Sequence, residues 1–342
     1  MRYQDAVSEI WRHYDLTNAA SDCDYTNLVK YATLAASSHN TQPWKFRLEP
    51  GRISIFPDLT RRCPAVDLDD HHLYVSLGCA ATNLTESALS AGLSSRVSFD
   101  QTTSAVQIDF EKGPVSNSRL FNAIPQRQCS RTLYDGSKLT LQELQQLESV
   151  SQGTGVSILL LTDQDKKQTI IDYVAKGNMT QMSDSSWMNE LKTWIRCNES
   201  HAVATGDGLY SRSMGNPDMP TLLANLILRF VIKPEIQNKK DEKYIQSSSG
   251  IAVFFSGIDD KAYWVEVGRC YERFALQATV LGVQTAFINS PVEVPELRTQ
   301  FANWLGIGEC RPDLIVRFGR GPVMPHSLRR PVEDVLVDDG IH

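Results

Sequence analysis

Apolar positions along this chain fall into two rhythms, and the places where one gives way to the other mark the element boundaries. Leu28, Tyr31, Ala32 and Ala35 recur at helical spacing, which predicts a helix from about Tyr25 to Ala36 that stops at Ser37-Ser38-His39-Asn40. Alternation takes over next. The runs Trp44 to Leu48 and Ile53 to Phe56, joined through Pro50-Gly51, have the pattern of a β-hairpin. A long apolar helix is expected from Asp69 to Ala91, with Gly92 as its C′ residue. Farther along, the pattern predicts a helix from about Leu141, a strand from Val156 to Leu161, a helix from Gln164 to Ala175 and a strand from Ile251 to Phe255.

Comparing the long helix with a later one adds the main organising feature. Leu68-Asp69-Asp70, Tyr74-Val75 and Gly78 align without a gap with Ile258-Asp259-Asp260, Trp264-Val265 and Gly268, a constant offset of 190 residues. The match continues through Leu77/Val267, Leu84/Phe274, Ala88/Ala278, Gly92/Gly282 and Leu93/Val283. Both copies open on Asp-Asp, which favours a helix N-terminus, and both close on Gly before a strand-like run. Two unrelated amphipathic helices are the competing reading, and they would not be expected to share both ends. The chain therefore reads as two copies of one α+β unit, residues 1–118 and 119–336, the second beginning near Arg127. Residues 178–247 interrupt the second copy. They hold a Trp187/Leu191/Trp194 helix, a stretch punctuated by glycine and proline, and an apolar helix from Leu222 to Ile232. An insertion of this size is expected to act as a lid or binding loop.

Composition narrows the possible partners. The 342 residues carry 34 Lys plus Arg against 40 Asp plus Glu, a net charge of −6, so nucleic acid is not the expected partner. With 42% hydrophobic and 22% charged residues the chain is globular rather than disordered. No apolar run approaches the roughly eighteen residues of a membrane span, and the N-terminus lacks the order of a signal peptide, so a cytoplasmic protein is expected. The 7 cysteines form no C-x-x-C pair and no close Cys/His cluster, and they read as reduced packing residues.

Candidate chemistry concentrates in three places. Ser37-Ser38-His39-Asn40-Thr41-Gln42-Pro43-Trp44 gathers hydroxyl, amide and backbone donors between a helix end and a strand start, which suits the rim of a flat ligand with donor and acceptor edges. A Ser/His nucleophile pair is disfavoured because adjacent residues rarely face each other and no G-x-S-x-G elbow is present. Arginines cluster at Arg127-Gln128-Cys129-Ser130-Arg131 and again at Arg311, Arg317, Arg320, Arg329 and Arg330. In an acidic chain two such concentrations suggest an anion site, with solvated surface arginines as the alternative. His71-His72 is not expected to bind metal, because neighbours on a helix point about 100° apart. No G-x-G-x-x-G or P-loop run is present, so a Rossmann domain and phosphoryl transfer are not indicated.

The serine-asparagine segment resembles the S-S-x-N-x-Q-P-W signature of the FMN-dependent nitroreductase family, and the chain as a whole, from about residue 25 to 336, resembles its Acg-like branch. Arg127-x-x-x-Arg131 followed by Tyr134 is similar to the family's opening arginine motif, and Arg329-Arg330-Pro331 to its C-terminal one. Asn289-Ser290-Pro291 sits where the family brings a proline loop against the flavin. The resemblance implies a fold of two fused nitroreductase-like α-β-α sandwiches, a pseudo-dimer within one chain. It implies FMN with its phosphate at Arg127, Gln128, Cys129, Arg131, Arg329 and Arg330. The ring is implied to lie at Ser37, Ser38, Asn40, Gln42, Asn289, Ser290 and Pro291. Cys129 stands where the family has Ser or Thr, which removes a phosphate donor that Ser130 is expected to replace.

Family members assemble flavin sites across a homodimer. Here the first unit has the serine-asparagine segment and the second has the arginines, so one complete site and a single FMN per monomer are expected. The implied activity is reduction of FMN by NAD(P)H and then of a small electron-poor acceptor, nitroaromatic or quinone-like, with the flavin and no protein residue as the catalytic centre. Two alternatives stand beside it: a flavin-sequestering protein with a closed lid, and a flavin oxidase or dehydrogenase with a dedicated biosynthetic substrate.

Overall fold

Two helices of equal length, His71–Ser90 and Lys261–Val280, cross at the centre of the computed structural model, which describes residues 2–16, 25–221, 223 and 233–337. Their contact is a reciprocal glycine pair. A Cβ on Gly78 would lie 1.9 Å from the Val265 carbonyl oxygen, and one on Gly268 would lie 1.9 Å from that of Val75. Backbones this close leave no room for any side chain. The two contacts are related by the same offset of 190 residues, so the crossing has an approximate two-fold axis. Around it, Leu77, Leu84, Val267, Phe274 and their neighbours form one core shared by both halves of the chain.

Strands β1 (Trp44–Glu49), β2 (Arg52–Pro57), β3 (Leu93–Asp100) and β4 (Ala105–Lys112) form an antiparallel sheet in the order β1-β2-β4-β3. The hairpin turn Pro50-Gly51 places Gly51 at φ 77°, a left-handed conformation. In the other half, β5 (Val156–Leu161) is followed by the short strands β6 (Ile195–Arg196) and β7 (Leu209–Tyr210), which pair in parallel. With β8 (Gly250–Ser256), β9 (Gln284–Phe287) and β10 (Arg311–Gly319), β5 forms a second antiparallel sheet in the order β5-β8-β10-β9. Strand order is the same in both sheets. The chain is two α+β units sharing one core.

Each unit also reaches across to its neighbour. The C-terminal arm joins the edge of the first sheet, where Phe46 N–H donates to Val335 (2.8 Å) and Val337 N–H donates back to Phe46 (2.9 Å). Glycines 92 and 282 end the central helices at φ 77° and 67°. Asp260 caps the second helix through Tyr263 N–H at 2.9 Å, as the Asp-Asp pattern implies. Asp70 departs from that pattern: it sits at φ 61° without a side-chain cap. Asp67 takes over, accepting from His72 and Leu73 N–H at 2.9 and 3.0 Å.

Two boundaries also differ from the sequence pattern. The first predicted helix ends at Ala32, and the segment 33–36 turns toward the serine cluster. The helix predicted over Gln164–Ala175 runs on to Ser183, because Gly177 packs on Ser290 and carries the helix past residue 178 into the insertion. The predicted helix Leu222–Ile232 lies, apart from Leu223, outside the described residues. Among the described residues no helix is long and apolar enough to cross a membrane, and six cysteines are free, four of them buried.

Replacing Gly78 by alanine drives a methyl into the Val265 carbonyl and is expected to destabilise the protein by about 3 kcal/mol or more, at the upper end of overpacking costs. Gly268→Ala should behave alike, and the double variant should cost less than the sum because both open the same contact. Chemical denaturation of the three variants checks this; a wild-type midpoint for either single variant would remove the crossing as a constraint.

Candidate functional site

The serine-asparagine segment is held in a conformation that most residues avoid. His39, Asn40 and Gln42 have φ of 47°, 53° and 54°. Three non-glycine residues in the left-handed region within four positions constitute local strain, which is maintained only where surrounding contacts fix it. Those contacts come largely from the insertion and the C-terminal arm. Asn40 Nδ2 donates to the carbonyls of Gly208 and Leu328, both at 3.1 Å, and Gly208 N–H returns a bond to Asn40 O at 3.1 Å. Gln42 Nε2 donates to Gly206 O at 2.9 Å while its Oε1 accepts from Arg330 N–H at 2.9 Å. Ser37 Oγ accepts from Gln42 N–H at 3.1 Å, and Ser38 N–H faces Ser76 Oγ at 3.4 Å. Arg61 fastens the insertion further, bonding both Thr41 O and the Asp207 carboxylate, which also pairs with Arg196.

Beside this segment lie two buried guanidiniums. Arg127 Nε stands 3.0 Å from the fully buried Glu272 carboxylate, but Nε and Nη1 make no hydrogen bond. Arg329 donates to five carbonyls, those of Thr33, Leu34, Ala35, Ser327 and Leu328. Two cations thus share one carboxylate out of water. Burial, followed by repulsion from Arg127, lowers the pKa of Arg329 to about 9. An unbalanced buried positive charge is costly, and an anion of the phosphate type would offset it. These residues, with Ser37, Asn40, Gln128, Cys129 and Arg131, surround a cavity of about 60 Å³.

A second cavity, of about 460 Å³, meets the first at Arg131 and Phe287. Its volume falls within the roughly 300–1,000 Å³ typical of small-molecule sites. The insertion supplies one wall through Trp187, Leu191, Met214 and Met219, and the second unit supplies the other through Ala286, Phe287, Asn289 and Ser290. Asn178, Gln181, Asp241, Arg317 and Glu293 give it polar points. Burial raises the pKa of Asp241 against hydrogen bonds from Gln237 and Asn178. Methionines and tryptophan on one wall offer an adaptable, polarisable surface to a flat apolar ligand.

Of the residues the sequence singled out, Ser37, Asn40, Gln128, Cys129, Arg127 and Arg329 come together at the small cavity, Asn289 and Ser290 at the large one, and Arg131 at both. Others point elsewhere. Ser130 does not replace the missing hydroxyl of Cys129, because its Oγ donates to Gln284 at 2.6 Å and is buried in the sheet edge. Arg330 turns from the cavity toward Asp58 (3.8 Å) and the Asp334 carbonyl (2.9 Å). Gln42 and Pro291 are buried but line neither cavity, and Ser38 lines neither. The C-terminal arginines do not form one anion site: Arg311 pairs with Asp69 and Asp259, and Arg320 with Glu143. Gln128 clamps Met324 through both amide atoms. Within the insertion, Tyr210 is an anchor, packed 4.9 Å from Tyr3 and bonded to Asp218. Glu272 escaped sequence reasoning, although a lone carboxylate opposite Thr82 in the aligned helix was the available signal.

His39 and His326 flank this region, and burial lowers the pKa of each from 6.5 to about 4. Between those values the unfolded chain binds more protons than the folded one, so stability is full above pH 6.5 and declines toward pH 4. His326→Asn should remove on the order of 2 kcal/mol of that decline. Thermal unfolding at pH 4.5 and 7 checks it, and an unchanged pH dependence would contradict a neutral His326.

No family model matches the chain. Two proteins of Mycobacterium tuberculosis (strain ATCC 25618 / H37Rv) that carry the name "Putative NAD(P)H nitroreductase" are similar over nearly all of it: Rv3131, 23% identical over 322 residues, covering 90% of each chain, and Acg, 24% identical over 325 residues, covering 90% of this chain and 93% of that one. Among solved structures, the NADPH:FMN oxidoreductase from Vibrio harveyi complexed with NAD+ aligns with 66% of this chain and 79% of its own, at 11% identity and a TM-score of 0.41. Over about nine-tenths of its length, then, a chain of two units that brings the serine-asparagine segment against the buried arginines is similar to mycobacterial proteins named as putative NAD(P)H nitroreductases, Acg among them.

Proposed function

We propose that the chain is an NAD(P)H-dependent oxidoreductase that holds one FMN where the two units and the insertion meet. The observation that carries the reading is the pair of buried guanidiniums, Arg127 and Arg329, sharing the single carboxylate of Glu272 at a small cavity that adjoins one of suitable size. The residues fit a phosphate-bearing flat ligand: excess positive charge at one end, a wall of Phe287, Trp187 and methionines at the other, and Arg131 between. When bound, FMN supplies the capacity to accept hydride from a reduced nicotinamide and pass two electrons to an acceptor. Arg127 and Arg329 would hold the phosphate and Arg131 would span the two cavities. Asn289 keeps its loop in place by accepting from Ile315 N–H at 2.9 Å, and Ser290 does so by donating to Val174 O at 3.2 Å. The insertion walls the large cavity, which limits water at the reacting groups and strengthens their electrostatics. An electron-poor aromatic or quinone of small size matches the apolar lining.

A sequestering role is the second reading, and a specific observation favours it. The amides of Asn40 and Gln42 bond to Gly206 and Gly208 of the insertion, so the lid is fastened by the donors expected at the ring.

Purified protein is expected to carry about one flavin per chain and to lose its yellow colour anaerobically on adding NADH or NADPH. Persistent colour with bound flavin would select the sequestering reading, and two flavins per chain would contradict the single site. The phosphate assignment has its own check. FMN should bind at least tenfold more tightly than riboflavin, and Arg127→Met should reduce that ratio toward one, since a charge-assisted bond is worth about 1.5–3 kcal/mol. Equal affinities in the unmodified protein would refute it.

A further inference from the structure

Three buried side chains and the partly buried Glu293, which the flavin reading leaves without a task, form a continuous line. Asp313 Oδ1 lies 2.8 Å from His71 Nε2, His71 Nδ1 lies 3.2 Å from His72 Nδ1, and His72 Nε2 lies 3.5 Å from Glu293 Oε1. The two rings face each other despite being sequence neighbours, contrary to the expectation that they diverge on the helix. Glu293 belongs to two cavities at once. It lines the large cavity, and it lines a separate cleft of about 150 Å³ that also touches His71, His72 and Asp69 and reaches the surface at the exposed Leu68. That cleft has room for several water molecules at about 30 Å³ each.

We propose that His72, oriented by His71 and Asp313, conducts protons from this cleft to Glu293, and that Glu293 gives them to the molecule reduced in the large cavity. The inference rests on the oxidoreductase reading for its purpose. Reduction of a quinone by a nicotinamide follows NAD(P)H + H⁺ + quinone → NAD(P)⁺ + quinol. The hydride brings two electrons and one proton, so one further proton must come from solvent in each turnover. The line of side chains offers a route for it from the cleft to the large cavity.

The hydrogen bonds fix a consistent proton arrangement. Asp313 sits at the bulge where the register of β10 shifts between Pro312 and Leu314, which turns it toward His71 Nε2; burial raises its carboxyl to about 7, and once ionised above that pH it accepts from His71 Nε2–H. That tautomer leaves a lone pair on His71 Nδ1, which can accept from His72 Nδ1–H. His72 then carries its mobile proton on Nε2, facing Glu293. Burial, with His72, Arg311 and Arg298 nearby, keeps His71 neutral. Burial also opposes charge on His72, yet the bond to Glu293 and the carboxylate of Asp67 outweigh it and raise its pKa, with Arg311 as the opposing cation. Burial would likewise raise Glu293, but His72, Gln181 and His39 hold it below its ordinary value. Asp69 and Asp259 pair with Arg311 at the outer side of the cleft. In one cycle His72 passes its Nε2 proton to Glu293, the Glu293 carboxyl gives it to the acceptor, and water in the cleft reprotonates His72. Net charge is restored.

Asp67, His71 and His72 also offer ligand atoms within 4.8 Å of one another, as a divalent cation would require. The facing Nδ1 atoms at hydrogen-bond distance, the two backbone N–H groups already on Asp67, and the nearby guanidiniums of Arg298 and Arg311 favour a shared proton.

Two measurements on the full-length protein test the relay. In the first, ¹⁵N NMR of the labelled imidazoles should find His71 neutral, with its proton on Nε2 once the pH exceeds about 7 and Asp313 ionises, and His72 protonated on both nitrogens near pH 6.5. In Glu293→Gln the His72 titration should move down by about one unit or more. A neutral His72, no shift in the variant, or stoichiometric zinc in the purified protein would overturn the proposal. In the second, FMN-loaded protein is assayed with a quinone, which takes up protons, and with ferricyanide, which takes only electrons. The quinone-to-ferricyanide rate ratio should fall at least about tenfold in Glu293→Gln and recover in Glu293→Asp. A ratio unchanged by Glu293→Gln would overturn the relay. Should the unmodified protein neither retain FMN nor react with nicotinamide, the oxidoreductase reading fails, and the imidazole titration alone decides the relay.

Discussion

The close crossing of His71–Ser90 and Lys261–Val280 at Gly78 and Gly268 sets the geometry from which everything else follows. Helices usually pack 8–10 Å apart because side chains intervene. Here backbone meets backbone, and the two units are brought near enough for the end of one helix to touch the partner unit's sheet. His71, at the first turn of the first helix, reaches Asp313 in the second sheet only because of this approach. Glu272, one turn past Gly268, pairs with Arg127 of its own unit and reaches the Ala36 backbone, just before the serine-asparagine segment of the other, for the same reason. A site made from both halves of a duplicated chain is a consequence of that crossing.

Charge balance then separates the two ends of the site. Around Arg127 and Arg329 cations outnumber carboxylates, an arrangement that a polyanionic group would stabilise. Around His72 the carboxylates of Glu293 and Asp67 outweigh burial and Arg311, which favours a protonated imidazole. The large cavity lies between an end rich in buried cations and an end where carboxylates favour a protonated imidazole. Such polarity suits a reaction in which electrons arrive on one bound partner and protons on another.

The insertion couples closure to site geometry. Its Gly206 and Gly208 carbonyls hold the amides of Gln42 and Asn40, and its Asp207 joins Arg61 to Arg196. The same contacts sustain the left-handed backbone at His39, Asn40 and Gln42. Displacing these contacts would therefore remove what holds the strained backbone of this segment in place.

The sequence by itself determined the periodic elements, the hairpin at Pro50-Gly51, the duplication at an offset of 190 residues and the grouping of Ser37, Asn40, Arg127 and Arg329 as candidates. These are local or repeating signals: apolar spacing, turn residues and motif order survive without knowledge of the fold. Direction and partnership were decided only by tertiary structure. Ser130 was a plausible donor until the sheet edge turned its hydroxyl to Gln284, and Arg330 a plausible phosphate ligand until Asp58 drew it away. The facing rings of His71 and His72 depend on Asp313 and Glu293, more than two hundred residues away in the chain. Pairing across such distances is set by the helix crossing and by a bulge in β10, neither of which leaves a periodic trace in the sequence. The physical reason is that hydrogen bonds and ion pairs act over a few ångströms, whereas the signals that sequence preserves act over a few residues.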